Sequence, residues 1–173
     1  MKRIALLLVA VAAVAGVAVS LAAASGQADK AASASVGFTI PPGYRDWRLI
    51  SVAHEEGTLN DLRGILGNDA AIKGFREKRR TLPDGAIIAR VAWDYVPLEE
   101  SSKAFGHAQS FVAGPPKNGV QFMVKDSKKY PATGGWGFVQ FNDGKPGGES
   151  GEICFSCHQI VKTRDFVFNR YAP

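Results

Sequence analysis

Ala86-Ile87-Ile88-Ala89-Arg90-Val91-Ala92-Trp93-Asp94-Tyr95 is the stretch on which the fold reading turns. It is rich in Ile, Val and aromatics and follows a Pro83-Asp84-Gly85 turn, so it reads as a strand. Upstream, Trp47 to Val52 and Thr58 to Leu66 are short stretches of strand type, and Pro41-Pro42-Gly43 opens the ordered domain. Asn68-Asp69 looks like a helix N-cap, followed by a basic-ended helix over Ala70 to Arg80 with charge placed favourably for its dipole. Downstream, Gly114-Pro115-Pro116 and Pro131 to Gly135 read as loops, and Val120 to Lys125 and Trp136 to Phe141 as two more strands. Asp143 to Gly148 is a loop feeding a last helix, from about Glu152 to Lys162. Phe166, Phe168 and Tyr171 alternate and are placed to pack back on the sheet. The expected class is α+β: an antiparallel sheet of about five strands, a few helices and a C-terminal helix.

The 173 residues fit one compact domain. Nineteen Gly and nine Pro favour a sheet with many turns over a helical bundle. The net charge is +5. The basic runs Lys78-Arg79-Arg80 and Lys125 to Lys129 are short and flank expected loops. Without an RNA- or DNA-binding motif they read as solvated faces, and no nucleic-acid partner is expected.

Met1-Lys2-Arg3 precedes an apolar run from Ile4 to Ala24. A charged start, an apolar stretch and terminal small residues make residues 1–24 an export signal, with Ala22-Ala23-Ala24 or Ala28 at the cleavage site. The run also has the length of a membrane span, so an uncleaved anchor is the alternative. Removing Lys2 and Arg3 leaves 19 basic against 16 acidic residues, a net +3. Residues 25–40 read as a flexible tether and 41–173 as the folded domain, outside the cytoplasm: periplasmic, or membrane-anchored.

The two cysteines, Cys154 and Cys157, stand in Cys154-Phe155-Ser156-Cys157-His158. C-x-x-C-H is the attachment pattern of c-type haem. Two thiols on one helical turn reach two porphyrin vinyl groups, and the adjacent His becomes the proximal iron ligand. One covalent haem c is therefore expected, on Cys154 and Cys157 with His158 on the metal. A redox disulfide and half of a zinc site are the competing readings; the first motif normally opens a helix early in a fold, and the second lacks another ligand pair.

The tail from Gln159 to Pro173 has neither Met nor His, so a sixth ligand must come from upstream. The candidates are His54 in a polar turn, His107 in a loop or strand edge, and Met123 in a strand. Each has an ordinary role in its setting, exposed or in the core. An open sixth position is favoured, and it would let the iron take a small molecule.

Tyr44-Arg45-Asp46-Trp47, Leu82 to Ile88, Val124 to Ser127, Gly135-Trp136-Gly137-Phe138, Cys154 to His158 and Phe166 to Tyr171 form an ordered set. In that set the chain from Tyr44 to Pro173 resembles the cytochrome P-460 family, which includes the sheet-rich, beta-type cytochromes c-prime. The resemblance implies an antiparallel sheet, a five-coordinate c-type haem and often a homodimer. The eponymous members carry a lysine bonded to the porphyrin edge and oxidise hydroxylamine. The matching position here is Arg90, and guanidinium is a poor nucleophile, so the cross-link is expected to be absent. The same members place a distal carboxylate where this chain has Gln121, an amide that hydrogen-bonds but takes no proton. Arg63 matches a family Arg near the haem, either at a propionate or on the distal side.

Three functions remain open. One is binding of a small ligand at open iron, nitric oxide being the natural one, with Arg90, Gln121, Phe75 and Phe122 shaping the pocket. The second is electron transfer with a redox partner that the sequence does not name. The third is oxidation of hydroxylamine or another small nitrogen compound, or peroxide turnover, with no assigned catalytic residue.

Overall fold

The computed structural model describes residues 37–147 and 151–172. Residues 1–24, read above as an export signal, and residues 25–36 of the expected tether lie outside the described residues. Among those described, no helix is long and apolar enough to cross a membrane.

Six strands form one sheet in chain order: β1 (Arg48–Glu55), β2 (Asp61–Gly67), β3 (Ile87–Pro97), β4 (Phe111–Lys125), β5 (Trp136–Asn142) and β6 (Lys145–Pro146). Every neighbouring pair is antiparallel. Among the described residues three α-helices are interspersed: α1 (Asp69–Arg76), α2 (Glu99–Phe105) and α3 (Gly151–His158), the last leading into a 3-10 segment (Gln159–Arg164). The class is α+β, as the sequence predicts, with six strands in place of about five. The extra one is a two-residue piece within the Asp143 to Gly148 stretch, where Asp143 and Gly144 adopt positive φ and fold the chain back onto β5.

Asn68 starts α1 as its sequence implies. Its side-chain oxygen accepts from the Ala71 N–H at 3.0 Å and from the Ile87 N–H at 3.0 Å, tying the helix start to β3. The helix stops at Arg76 rather than Arg80, because Lys78 turns left-handed at φ 51° and carries the chain under the helix. There Gly74 meets the returning Leu82-Pro83 so closely that a Cβ would sit 2.5 Å from Leu82 Cδ2.

Strand β4 is far longer than Val120 to Lys125 and runs straight through Gly114-Pro115-Pro116, the expected loop. Only residues 120–125 of β4 pair with β5. The prolines therefore lie where one edge has no neighbour, and the β3–β4 register shifts around Trp93 beside them. A residue without an N–H is tolerated at such an edge. Helix α2 follows β3 unannounced; its signals were Glu99 and Glu100 in the first turn, Lys103 in the last and Gly106 at φ 73° as its stop.

Alternation divides the buried side chains between two sheet faces. On one face Ile50, Ile65, Ile88, Trp136 and Phe138 pack with Ile72 of α1, Leu82 and Val167. On the other Ala89, Val91, Val120, Phe122, Val139 and Phe141 are covered by Phe38, Ile40, Tyr44 and Trp47. Among the described residues, packing thus already includes Phe38 and Ile40, ahead of the Pro41-Pro42-Gly43 start.

The C-terminal segment is fixed by one buried ion pair. Lys125 Nζ lies 2.7 Å from Asp165 Oδ1, both side chains more than nine-tenths buried. The ammonium also donates to the Gly134 carbonyl at 3.0 Å, and Asp165 Oδ2 accepts from the Leu82 N–H at 2.8 Å. Asp165 and Phe166 are both left-handed, at φ 53° and 62°, and reverse the chain. It then returns along the first face until the Ala172 N–H donates to the Ile50 carbonyl at 2.8 Å. Phe166 and Tyr171 pack against the first-face core as expected, whereas Phe168 stays almost half exposed.

Two outcomes follow from these contacts. Lys125→Met leaves a buried carboxylate unpaired and should cost about 3–5 kcal/mol in urea unfolding followed by tryptophan fluorescence. Adding Asp165→Asn, which keeps an acceptor and tolerates the left-handed backbone, should recover much of that loss. At the surface, Asp84 accepts from the Ser127 hydroxyl at 2.7 Å and the Ser127 N–H at 2.8 Å, and these bonds hold its carboxyl below the ordinary 3.8. A depressed folded pKa means that the stabilisation is complete above the ordinary value and is lost as pH falls through the folded one. Ser127→Ala should move the Asp84 titration upward, read from its carboxyl carbon by NMR.

Candidate functional site

Between the first sheet face and α3 lies a cavity of about 600 Å³. One wall is the C-terminal segment: Cys154, Cys157, His158, Val167, Phe168 and Asn169. The other is the sheet. Two rows of directly paired residues cross it, Ile88–Met123–Phe138 and Ile65–Arg90–Gln121–Gln140. Cross-strand partners share a face, so register alone carries both rows to the cavity.

The motif lies on α3, which ends at His158 and turns both cysteines toward the same cavity. Cys157 is exposed and Cys154 half-buried. His158 Nδ1 is 2.6 Å from the Phe166 carbonyl oxygen. A carbonyl only accepts, so Nδ1 carries the proton and Nε2 is left with its lone pair. Ring orientation by a bond on the far nitrogen is what a metal-ligating imidazole requires. Phe138, at 4.9 Å between ring centroids, and Phe168, at 5.0 Å, flank the ring. Burial pushes the His158 pKa below its ordinary value, with the Phe166 bond pulling the other way, and so favours the neutral form.

The polar row is organised by a residue that the sequence reading passed over. Asp61, at the start of β2, is fully buried. Its carboxylate accepts from Arg63 Nε at 2.6 Å and from Arg90 Nη2 at 2.9 Å. Arg63 reaches on to Glu55 at 3.0 Å, and Glu55 lines the cavity. Gln121 donates to Gln140 Oε1 at 2.8 Å. A chain of contacts thus runs Glu55–Arg63–Asp61–Arg90, with Gln121 directly opposite Arg90. The local pattern Asp61-x-Arg63 on a strand was a signal for the first link, since alternate residues share a face. The Arg90 link depends on the pairing of β2 with β3.

Arg63, Arg90, Gln121, Cys154, Cys157 and His158 are all brought to this one cavity. Phe75 is not part of it; its ring stacks on Tyr171 at 5.9 Å beside the core. Phe122 borders the cavity, but its ring packs with Phe38, Tyr44 and Phe141 on the opposite sheet face, because its neighbours Gln121 and Met123 take the cavity side. His54 lies near the end of β1 rather than in a turn, and its ring stacks on Tyr95 at 4.1 Å. His107 is exposed beyond α2. Neither histidine lines the cavity. Met123 does, and it also packs against the first-face core.

This donor set fits a c-type haem. Two thiols one turn apart face an apolar-lined cavity, an imidazole presents Nε2 with its other nitrogen anchored, and a buried Arg90 Nη1 at the wall has no partner among the described residues. The model of the Cytochrome P460 family matches residues 41–169. No curated protein matches the chain significantly.

Asp61 is the test of the polar row. Asp61→Asn leaves two guanidinium groups without their shared anion, and stability in urea should fall by about 3–5 kcal/mol. A loss below about 1 kcal/mol, the range of exposed pairs, would mean that the carboxylate holds nothing together.

Proposed function

The chain belongs to the cytochrome P460 family, whose members are haem-binding c-type cytochromes, and on that premise we propose that it is an exported monohaem cytochrome that binds a small ligand such as nitric oxide at five-coordinate iron. The observation that carries this reading is the make-up of the cavity. It offers one oriented imidazole, His158, while His54 and His107 lie elsewhere and Met123, which also lines the cavity, packs against the first-face core. Cys154 and Cys157 would form the thioether bonds. Haem held by Cys154, Cys157 and His158 would supply an iron that exchanges one electron and can take a small ligand.

The protein's own residues set the terms of binding. The Phe166 carbonyl fixes the tautomer of His158 and raises the basicity of Nε2. Arg90 and Gln121 present N–H donors near the cavity, so a bound ligand meets hydrogen bonds rather than a proton acceptor. Among the described residues lining the cavity Glu55 is the one carboxylate, and Arg63 pairs with it. That arrangement supports binding over hydroxylamine oxidation, which needs a group free to take protons. Arg90 in place of a lysine supports a porphyrin without an extra cross-link. Export rests on residues 1–24, with a periplasmic location as the reading. Electron transfer to a partner protein remains the second reading.

Absorption spectra of the purified holoprotein test this. The reduced form should be high-spin, should change on adding carbon monoxide or nitric oxide, and should show no strongly red-shifted Soret band. A sharp low-spin spectrum indifferent to both gases would overturn the reading and put a side chain such as Met123 on the iron. Cys154→Ala with Cys157→Ala should release the haem on denaturation.

A further inference from the structure

Buried polar atoms in folded proteins are almost always partnered, so each exception calls for a reason. Among the described residues three buried side-chain atoms have no partner: Ser51 Oγ, Trp136 Nε1 and Arg90 Nη1. The first two belong to neutral groups away from the cavity lining. Arg90 differs, because it is charged and lines the cavity.

The charges around it do not balance locally. Arg63 and Arg90 share the single buried carboxylate of Asp61. Glu55 is bound to the far side of Arg63, and its side chain is 46% exposed, where water screens it. The buried part of the cluster therefore holds two cations against one anion. Burial and the neighbouring Arg63 pull the Arg90 pKa below its ordinary value, with Asp61 opposing them, as an under-compensated cation requires. Gln121, opposite Arg90 on β4, has its amide nitrogen turned to Gln140, which leaves the guanidinium as the charged donor of that row.

We propose that Arg90 Nη1 is the recognition donor for a small anion in the cavity, of the nitrite or azide class, taken by the oxidised form beside the neutral ligand of the reduced form. A charge-assisted bond of this kind is about twice as strong as a neutral one. Asp61 takes Nη2 and so leaves Nη1 for the ligand, a hydrogen bond that an amide oxygen at this position would still accept, while its negative charge limits how much positive potential the anion meets. This rests on the open-iron reading above.

The test compares wild-type holoprotein with Arg90→Gln and Asp61→Asn. The oxidised forms are titrated with nitrite and the reduced forms with carbon monoxide, followed by absorption, and midpoint potentials are measured alongside. Arg90→Gln should weaken nitrite binding roughly tenfold more than carbon monoxide binding. Asp61→Asn should strengthen nitrite binding several-fold, a change of opposite sign that loosened packing does not produce. Equal nitrite affinity in wild type and Arg90→Gln overturns the proposal. So does an unchanged nitrite affinity with a shifted midpoint potential, which would assign Nη1 to a haem propionate. If Arg90→Gln fails to fold, Asp61→Asn decides alone, and no gain in nitrite affinity overturns the proposal. Wild-type protein that binds neither nitrite nor carbon monoxide would instead refute the open iron, a separate result.

Discussion

The orientation of His158 depends on a residue that never touches it, Lys125. The ammonium holds Asp165, Asp165 holds the Leu82 N–H, and together they fix a reversal through two successive left-handed residues without glycine. Such a backbone persists only when its surroundings over-determine it. The carbonyl at its second residue, Phe166, accepts from His158. A buried pair contributes little net stability in many proteins, but it imposes a unique geometry wherever its partners are fully satisfied. Here the geometry delivered is the tautomer of one imidazole. Lys125 also stands over the Trp136 ring at 4.9 Å, so the same ammonium joins the end of β4, the start of β5 and the C-terminal turn.

Polarity in the cavity is graded by register. One row of the sheet, Ile88–Met123–Phe138, is apolar, and its Phe138 touches the imidazole. The next row, Ile65–Arg90–Gln121–Gln140, carries the donors. Moving two residues along a strand thus changes the wall from hydrocarbon to guanidinium. A one-residue slip of β3 against β2 would turn Arg90 toward the opposite core, where Ala89 and Val91 now lie, and that is forbidden by the burial of both faces.

Features set by neighbours in sequence were legible from the start. The motif Cys154 to His158 is local, and its helix, the Asn68 cap and the Ile87 to Tyr95 strand follow from spacing and residue type. What needed the third dimension is different in kind. Asp61 drew no attention in the sequence, and only the pairing of β2 with β3 makes it the common partner of Arg63 and Arg90. Phe122 borders the cavity as expected, yet adjacent strand positions face opposite ways, and its ring joins the opposite core. Pro115 and Pro116 looked like loop residues because the sequence does not say that β5 stops short of them. Lys125 belonged to a basic run read as a solvated face, and its burial depends on a carboxylate 40 positions away.

The sheet is a meander in which each strand pairs with the next in sequence, and the ladder is complete by Pro146. Contacts of low sequence separation form early in folding. The cysteines, the histidine and the clasp of Ala172 onto Ile50 all come after that point. The two walls of the site therefore differ in kind: the sheet wall rests on pairings between neighbours in sequence, whereas the wall that carries the cysteines and the histidine is held by contacts that span most of the domain. Local opening of the second wall would uncover the cavity while leaving the strand ladder intact.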